Sequence, residues 1–183
     1  QEVLWKGLFR AQCEAGQETA AFDTLRAASH ALPDDPEIQL QLGELYLAQG
    51  APTLALPCLK KAFENSGEEN SLNVATPLGE TLFQLGRLEE ARQVLEPLYN
   101  RMIAGLPGVV SGRPEVNQTL KSNTDLVNIF ARTLLSLGEP EKAVPLLTQV
   151  VRDRPDDPQA CLDLSKGLMQ LSDRGSGARR AIP

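Results

Sequence analysis

The chain has 183 residues, and its 18 lysines and arginines against 24 aspartates and glutamates give a formal net charge of −6 at pH 7. Because the basic residues form no stripe that could neutralise a row of phosphates, nucleic acid is not an expected partner. No apolar stretch reaches the roughly 18 residues needed to span a membrane. Three widely separated cysteines and one histidine favour neither a disulfide framework nor a zinc site.

From the N terminus onward, four helical hairpins are predicted, each built around a glycine. Apolar residues recur at helical spacing on both sides of each glycine, which is followed five residues later by an alanine and nine residues later by a leucine. The members of this pattern are Gly16, Ala21 and Leu25; Gly50, Ala55 and Leu59; Gly86, Ala91 and Leu95; and Gly138, Ala143 and Leu147. The glycines are separated by 34, 36 and 52 residues, which predicts a repeat array with an insertion before the fourth unit.

Each residue type in this pattern has a physical reason to recur. A glycine reaches the left-handed conformation that commonly ends a helix, and a small alanine lets two antiparallel helices approach closely. The motif Pro-Asp-Asp-Pro occurs at 33–36 and again at 155–158. Its first proline stops the outgoing helix, an aspartate can cap the next helix, and the second proline suits the first turn of that helix.

The second unit carries the clearest family resemblance, with Leu42, Gly43, Tyr46, Gly50, Ala55, Leu59 and Ala62 in the positions expected of a 34-residue repeat. The chain thus resembles the tetratricopeptide repeat (TPR) family. The resemblance implies an all-α fold, a right-handed α-solenoid of antiparallel helical hairpins. We predict a single array over residues 1–183, with units at about 2–35, 36–69, 72–105 and 124–157 and a partial unit at 158–183.

Two segments depart from the regular repeat. The insertion at about 99–118 is expected to prolong the preceding helix through 99–103 and then to form a loop. In that loop Val109 and Val110 either tuck under the next helix or contact a partner. Near the C terminus, residues 161–171 are predicted to form the first helix of a fifth unit, and residues 172–177 a longer turn. Because residues 181–183 match the opening of a second helix, we interpret the chain as a fragment of a longer protein.

No combination of residues indicates catalysis. His30, the single histidine, falls near the end of a predicted helix, where such a residue commonly faces solvent. Cys58 lies in an apolar column, where a buried thiol is the ordinary interpretation. Paired acids fall at turns and helix starts, which capping and the helix dipole already favour. We therefore expect a non-enzymatic chain without a cofactor or a metal.

The expected binding surface is the concave groove, which the first helix of every unit would line. The groove residues predicted to bind a partner are Lys6, Arg10, Leu40, Glu44, Asn73, Thr76, Glu80, Phe83, Asn128, Arg132 and Lys166. Further residues predicted to face the groove are Cys13, Glu37, Leu47, Asp125, Leu135, Gln159, Leu162 and Met169. Cations at both ends and acids between them predict a protein or peptide partner of mixed charge. A solvated face without a ligand stays open as the alternative.

One groove type of the family is excluded residue by residue. The clamp that holds the C-terminal carboxylate of chaperone tails needs asparagines where this chain has Arg10 and Gln41. It also needs a lysine and an arginine where the chain has Asn73 and Pro77. Although Lys6 matches the first lysine of that clamp, the remaining positions do not.

We expect a protein-interaction scaffold or adaptor that binds a partner segment in the groove. Charge reversal at Arg132 and Lys166 would then weaken binding and leave the helicity unchanged. The main alternative is a recruiting or regulatory module of a larger enzyme or of a secretion or exopolysaccharide machine. Carbohydrate binding and self-association through uncapped ends are further alternatives. The cysteine usage favours the cytoplasm and leaves the periplasm open.

Overall fold

The computed structural model describes residues 2–67, 71–104 and 123–180, and each regular element within these ranges is an α-helix. In chain order the helices are α1 (Glu2–Glu14), α2 (Glu18–Ala31), α3 (Pro36–Ala48), α4 (Pro52–Asn65), α5 (Ser71–Gln84), α6 (Leu88–Ala104), α7 (Thr124–Ser136), α8 (Pro140–Asp153) and α9 (Pro158–Arg180). The chain divides into two compact units, Gln1–Leu85 and Gly86–Pro183. A single array over the whole chain stays a prediction.

The turn glycines adopt the conformation expected of them. Gly16, Gly50, Gly86 and Gly138 have φ angles of 68°, 70°, 71° and 77°. At Gly50, the glycine N–H donates to the Leu47 carbonyl at 2.9 Å, and the Ala51 N–H donates to the Tyr46 carbonyl at 2.8 Å. The second bond reaches back five residues, as in the motif that commonly closes a helix behind a left-handed glycine.

The two Pro-Asp-Asp-Pro motifs both cap helices, as predicted. The Asp35 carboxylate accepts hydrogen bonds from the backbone N–H groups of Glu37 and Ile38, at 2.9 and 3.1 Å. Asp157 caps α9 in the same way. Each aspartate satisfies backbone donors that a helix start would otherwise leave without a partner, a contribution of about 1 kcal/mol.

In the first unit, close helix packing depends on small residues. A Cβ atom at Gly43 in α3 would lie 2.6 Å from the Cγ and Cδ2 atoms of Leu59 in α4, so only a glycine fits this crossing. Ala55 and Leu59 are completely buried. An edge-to-face ring contact between Phe22 and Tyr46, with centroids 5.4 Å apart, joins α2 to α3.

Close helix packing in the second unit also depends on a small residue. A Cβ atom at Gly167 in α9 would lie 2.8 Å from Val144 Cγ2 in α8. The Tyr99 ring in α6 contacts the Phe130 ring in α7, with centroids 5.2 Å apart. A side-chain hydrogen bond of 2.9 Å from Arg92 to Glu139 also reaches from α6 to the residue just before α8.

The predicted departures from the repeat have different outcomes. Helix α6 continues to Ala104, which confirms the prolonged helix, whereas the predicted loop with Val109 and Val110 lies outside the described residues. The turn predicted at 172–177 is wrong, because α9 runs without a break from Pro158 to Arg180. Arg174 explains part of this continuity: it donates to the Gly138 carbonyl and to Glu141, and so ties this stretch of α9 to α8.

Candidate functional site

The predicted groove residues all lie on the first helices of the hairpins. Those of the first unit belong to α1, α3 and α5, and those of the second unit belong to α7 and α9. The two sets lie in separate compact units, and a continuous groove through both sets stays a prediction.

A cleft of about 350 Å³ opens between α3 and α5 in the first unit, and we call it the α3/α5 cleft. Its lining consists of Pro36, Glu37, Leu40, Gln41, Glu44, Ser66, Asn73 and Val74. Glu37, Leu40, Glu44 and Asn73 were predicted to face the groove, and the structure brings these four together. Helical spacing on the first helices could not predict two further lining residues. Ser66 follows the end of α4, and Val74 occupies a buried position of α5.

Glu44 is a charged group of the cleft that has no protein partner among the described residues. Its carboxylate makes no hydrogen bond or ion pair with the residues that the structure describes. Although the side chain still reaches solvent, the surrounding protein removes part of its water, which raises the pKa of the carboxyl above its ordinary value. The Glu44 carboxylate thus lies at the cleft without a protein partner and with part of its water removed.

Gln41 carries a buried acceptor in the same helix. Its amide nitrogen donates to Glu37 at 3.4 Å. Its amide oxygen is buried and has no hydrogen-bond partner among the described residues. An unmet buried acceptor costs free energy, and because this oxygen has almost no accessible surface, a ligand in the cleft meets the Glu44 carboxylate instead.

The cations predicted for α1 are already engaged. The Lys6 ammonium lies 2.5 Å from a Glu37 oxygen and 3.8 Å from an Asp35 oxygen, and Arg10 lies 3.5 Å from Glu14. On α3, by contrast, Glu44 stays unpaired among the described residues. The first unit therefore presents an unpaired carboxylate on this face.

Two of the remaining predicted groove residues of α5 make side-chain hydrogen bonds within α5 itself. The Thr76 hydroxyl donates to the Leu72 carbonyl at 3.4 Å, and Glu80 accepts a hydrogen bond of 3.0 Å from Gln84. Phe83 is half-buried. These side chains shape the surface beside the α3/α5 cleft without entering its lining.

In the second unit, a buried carboxylate organises the predicted groove residues. Asp163, with only 5% of its surface exposed, accepts from Gln159 at 3.0 Å and lies 3.4 Å from Arg132 and 3.2 Å from Lys166. The sequence reasoning missed Asp163, although its spacing of three residues from Lys166 was a usable signal. Arg132 and Lys166 thus form an internal ion network in which one of their two charges is neutralised.

Two further positions on α7 behave differently. The Asn128 side-chain oxygen is buried without a hydrogen-bond partner among the described residues. The prediction that Leu135 faces the groove is wrong, because only 6% of the residue is exposed. The reason is α9: a Cβ atom at Gly167 would lie 3.5 Å from the Leu135 side chain, so this helix covers the leucine.

An ion pair at the start of α7 ties the helix to the residue that follows α8. Asp125 accepts a hydrogen bond of 2.5 Å from Arg154. This bond lowers the pKa of the Asp125 carboxyl. Asp125 was predicted to face the groove, and its role in this pair makes it a structural contact as well.

The residues considered for catalysis or metal binding do not come together in one site. His30 lies in the last turn of α2, and Cys58 is half-buried against the core of the first unit, where burial raises the pKa of its thiol. Within 2–67, 71–104 and 123–180, no three histidine, cysteine or acidic side chains could share a metal ion. A search of the described residues also finds no helix long and apolar enough to cross a membrane.

The hairpins, their left-handed turn glycines and their close-packed alanines define an α-helical repeat protein. Two family models described as tetratricopeptide repeat match residues 8–69 and 73–97. The resemblance to the tetratricopeptide repeat family predicted from the sequence is confirmed over these residues. No curated protein sequence matches the chain.

Several solved structures share the fold. The crystal structure of the MamA protein superposes with a TM-score of 0.67 at 18% identity, over 97% of this chain and 86% of MamA. PilF of Pseudomonas aeruginosa gives 0.62 at 19% identity, over 93% of this chain and 68% of PilF. YrrB, described as a TPR protein with an unusual peptide-binding site, gives 0.61 at 21% identity, over 86% of this chain and 71% of YrrB. The predicted class, an all-α solenoid, is confirmed.

Proposed function

We propose that this chain is a non-catalytic interaction module that binds an extended protein segment along the first-helix face, with the α3/α5 cleft as its anchoring point. The observation that carries the proposal is the cleft itself. Four residues predicted to face the groove, Glu37, Leu40, Glu44 and Asn73, converge on one concavity. Concave sites with an apolar floor and a few polar groups are where ligands most often bind.

The chemistry of the lining suits a peptide better than a rigid small molecule. Leu40 supplies apolar surface, while Asn73 carries an amide that can both donate and accept hydrogen bonds. An extended chain offers alternating side chains and main-chain groups to such a surface. YrrB, which has the same fold, is described as having a peptide-binding site, and that description supports this class of ligand.

Selection from a random peptide library on the immobilised full chain tests the proposal. The affinity of each selected peptide is then measured by fluorescence anisotropy on the wild type and on Leu40→Ala. We expect Leu40→Ala to weaken binding by about tenfold, since it removes an apolar contact worth about 1.4 kcal/mol.

Leu54→Ala is the matched control, because Leu54 is a leucine on α4 with 54% of its surface exposed and is absent from the cleft lining. We expect this variant to bind within about twofold of the wild type. Failure to select any peptide, or equal losses in the two variants, would contradict the proposed function.

A further inference from the structure

The α3/α5 cleft contains an unpaired carboxylate. Glu44 has no partner among the described residues. Two donors of the lining are already used: the Gln41 amide nitrogen donates to Glu37, and the Ser66 hydroxyl donates to the Phe63 carbonyl at 2.9 Å. A ligand that neutralises the Glu44 carboxylate must bring a positive charge of its own.

The apolar part of the lining restricts the ligand further. The half-buried Leu40 lies in the same cleft as Glu44, so a group that fits both is apolar along its length and cationic at its end. Lysine and arginine side chains have this form, since they bury an aliphatic stem while the charged head keeps polar partners. A carboxylate accepts stronger hydrogen bonds from such a charged head than from a neutral donor.

The cations of the chain itself do not fill this role in the first unit. Lys6 is held by Glu37 and Asp35, and Arg10 lies beside Glu14. The chain as a whole carries a net charge of −6, which favours approach of a basic segment from solution.

We infer that the α3/α5 cleft takes one lysine or arginine side chain of the partner segment, with its stem on Leu40 and its head at the Glu44 carboxylate. This inference rests on the proposed function and gives the partner a defined chemistry. The sequence predicted a partner of mixed charge, and this inference adds that the partner segment must contain a basic residue.

The test uses peptides selected on the wild-type chain, each resynthesised with its basic residue replaced by norleucine. Norleucine keeps an unbranched aliphatic chain and lacks the charged head. We expect lysine or arginine to be enriched at one position, and the norleucine replacement to weaken binding by about tenfold. Glu44→Gln should cause a similar loss for the basic peptide and less than about a twofold loss for the norleucine peptide.

Glu64→Gln is the matched control, since it makes the same change of charge at an exposed glutamate of α4 outside the cleft lining. Its effect on both peptides should stay within about twofold. Continued binding of the norleucine peptide to Glu44→Gln shows that this variant is folded.

The outcomes separate the two proposals. Selected peptides without an enriched basic residue, or equal effects of Glu44→Gln and Glu64→Gln, would overturn this inference and leave the proposed function standing. If no peptide is selected, or if Leu40→Ala and Leu54→Ala are equivalent, the proposed function falls and this inference falls with it.

Discussion

At the residue scale, glycine serves two opposite purposes in this chain. Gly43 lies where a Cβ atom would come within 2.6 Å of Leu59, whereas a Cβ atom at Gly7 would meet no heavy atom within 4 Å. Both residues lie inside helices, α3 and α1 respectively. The same substitution is therefore expected to change the stability in opposite directions.

Gly43→Ala should lower the free energy of unfolding by about 1–3 kcal/mol, because the extra methyl group overpacks the crossing of α3 and α4. Gly7→Ala should raise it by about 0.5–1 kcal/mol, because alanine loses less backbone entropy in a helix. Urea unfolding followed by circular dichroism measures both values. A stabilising Gly43→Ala would show that the helices are not in close contact there.

The pair formed by Asp125 and Arg154 gives a prediction for pH dependence. The hydrogen bond from Arg154 lowers the pKa of Asp125 in the folded chain, so its stabilising effect is present above the unfolded pKa and is lost as the pH falls through the folded pKa. Arg154→Gln should raise the pKa of Asp125, as carbon-detected NMR of the carboxyl group can measure.

The stability difference between Arg154→Gln and the wild type should therefore shrink as the solution is acidified through this range. Arg152→Gln is the control, because it removes an equal charge two residues away, from an exposed position. If both variants shift the pKa of Asp125 equally, the effect comes from net charge and not from the hydrogen bond.

At the element scale, α9 is held against α7 through one buried carboxylate. Arg132 has 23% of its side chain exposed and Lys166 has 51%, and both lie within 3.4 Å of Asp163. Arg132→Gln should lower the free energy of unfolding by roughly 2 kcal/mol, below the roughly 3–5 kcal/mol found for fully buried pairs. Lys166→Gln should cost less than about 1 kcal/mol, because solvent screens the more exposed pair.

The same contact revises the expectation for charge reversal. Glutamates at positions 132 and 166 would place three carboxylates together, so we now expect that double variant to lose stability as well as binding. The neutral variants separate the two effects. Thermal unfolding by circular dichroism ranks them, and a larger loss for Lys166→Gln than for Arg132→Gln would contradict the assigned burial.

The helices could be predicted from the sequence where the determining signals are local. Gly50 ends one helix and Asp35 begins another, and each acts on backbone groups within a few residues. The burial of Asp163 and the cover over Leu135 depend on residues from another helix, which a repeat pattern does not specify. The continuous α9 was missed because glycines at 175 and 177 suggest a turn, while the contacts of Arg174 with Gly138 and Glu141 lie more than thirty residues back.

At the scale of the whole molecule, the exposed leucines define where self-association should be tested. Leu4 and Leu8 on α1 have 76% and 48% of their surfaces exposed, and Leu162 and Met169 on α9 have 50% and 68%. Self-association through the ends stays a prediction. Light scattering over a concentration series would reveal it as a rising mass, which Leu8→Glu should suppress, and a constant monomer mass at the highest concentration would remove it.

Binding of a peptide on the first-helix face through the α3/α5 cleft is tested most directly by NMR mapping. Backbone amide shifts of the isotope-labelled full chain are followed while a selected peptide is added. We expect the largest changes at 37–44 in α3, at Ser66 and at Asn73 and Val74 in α5. Changes confined to the exposed faces of α2 and α4, with the cleft residues unaffected, would contradict it.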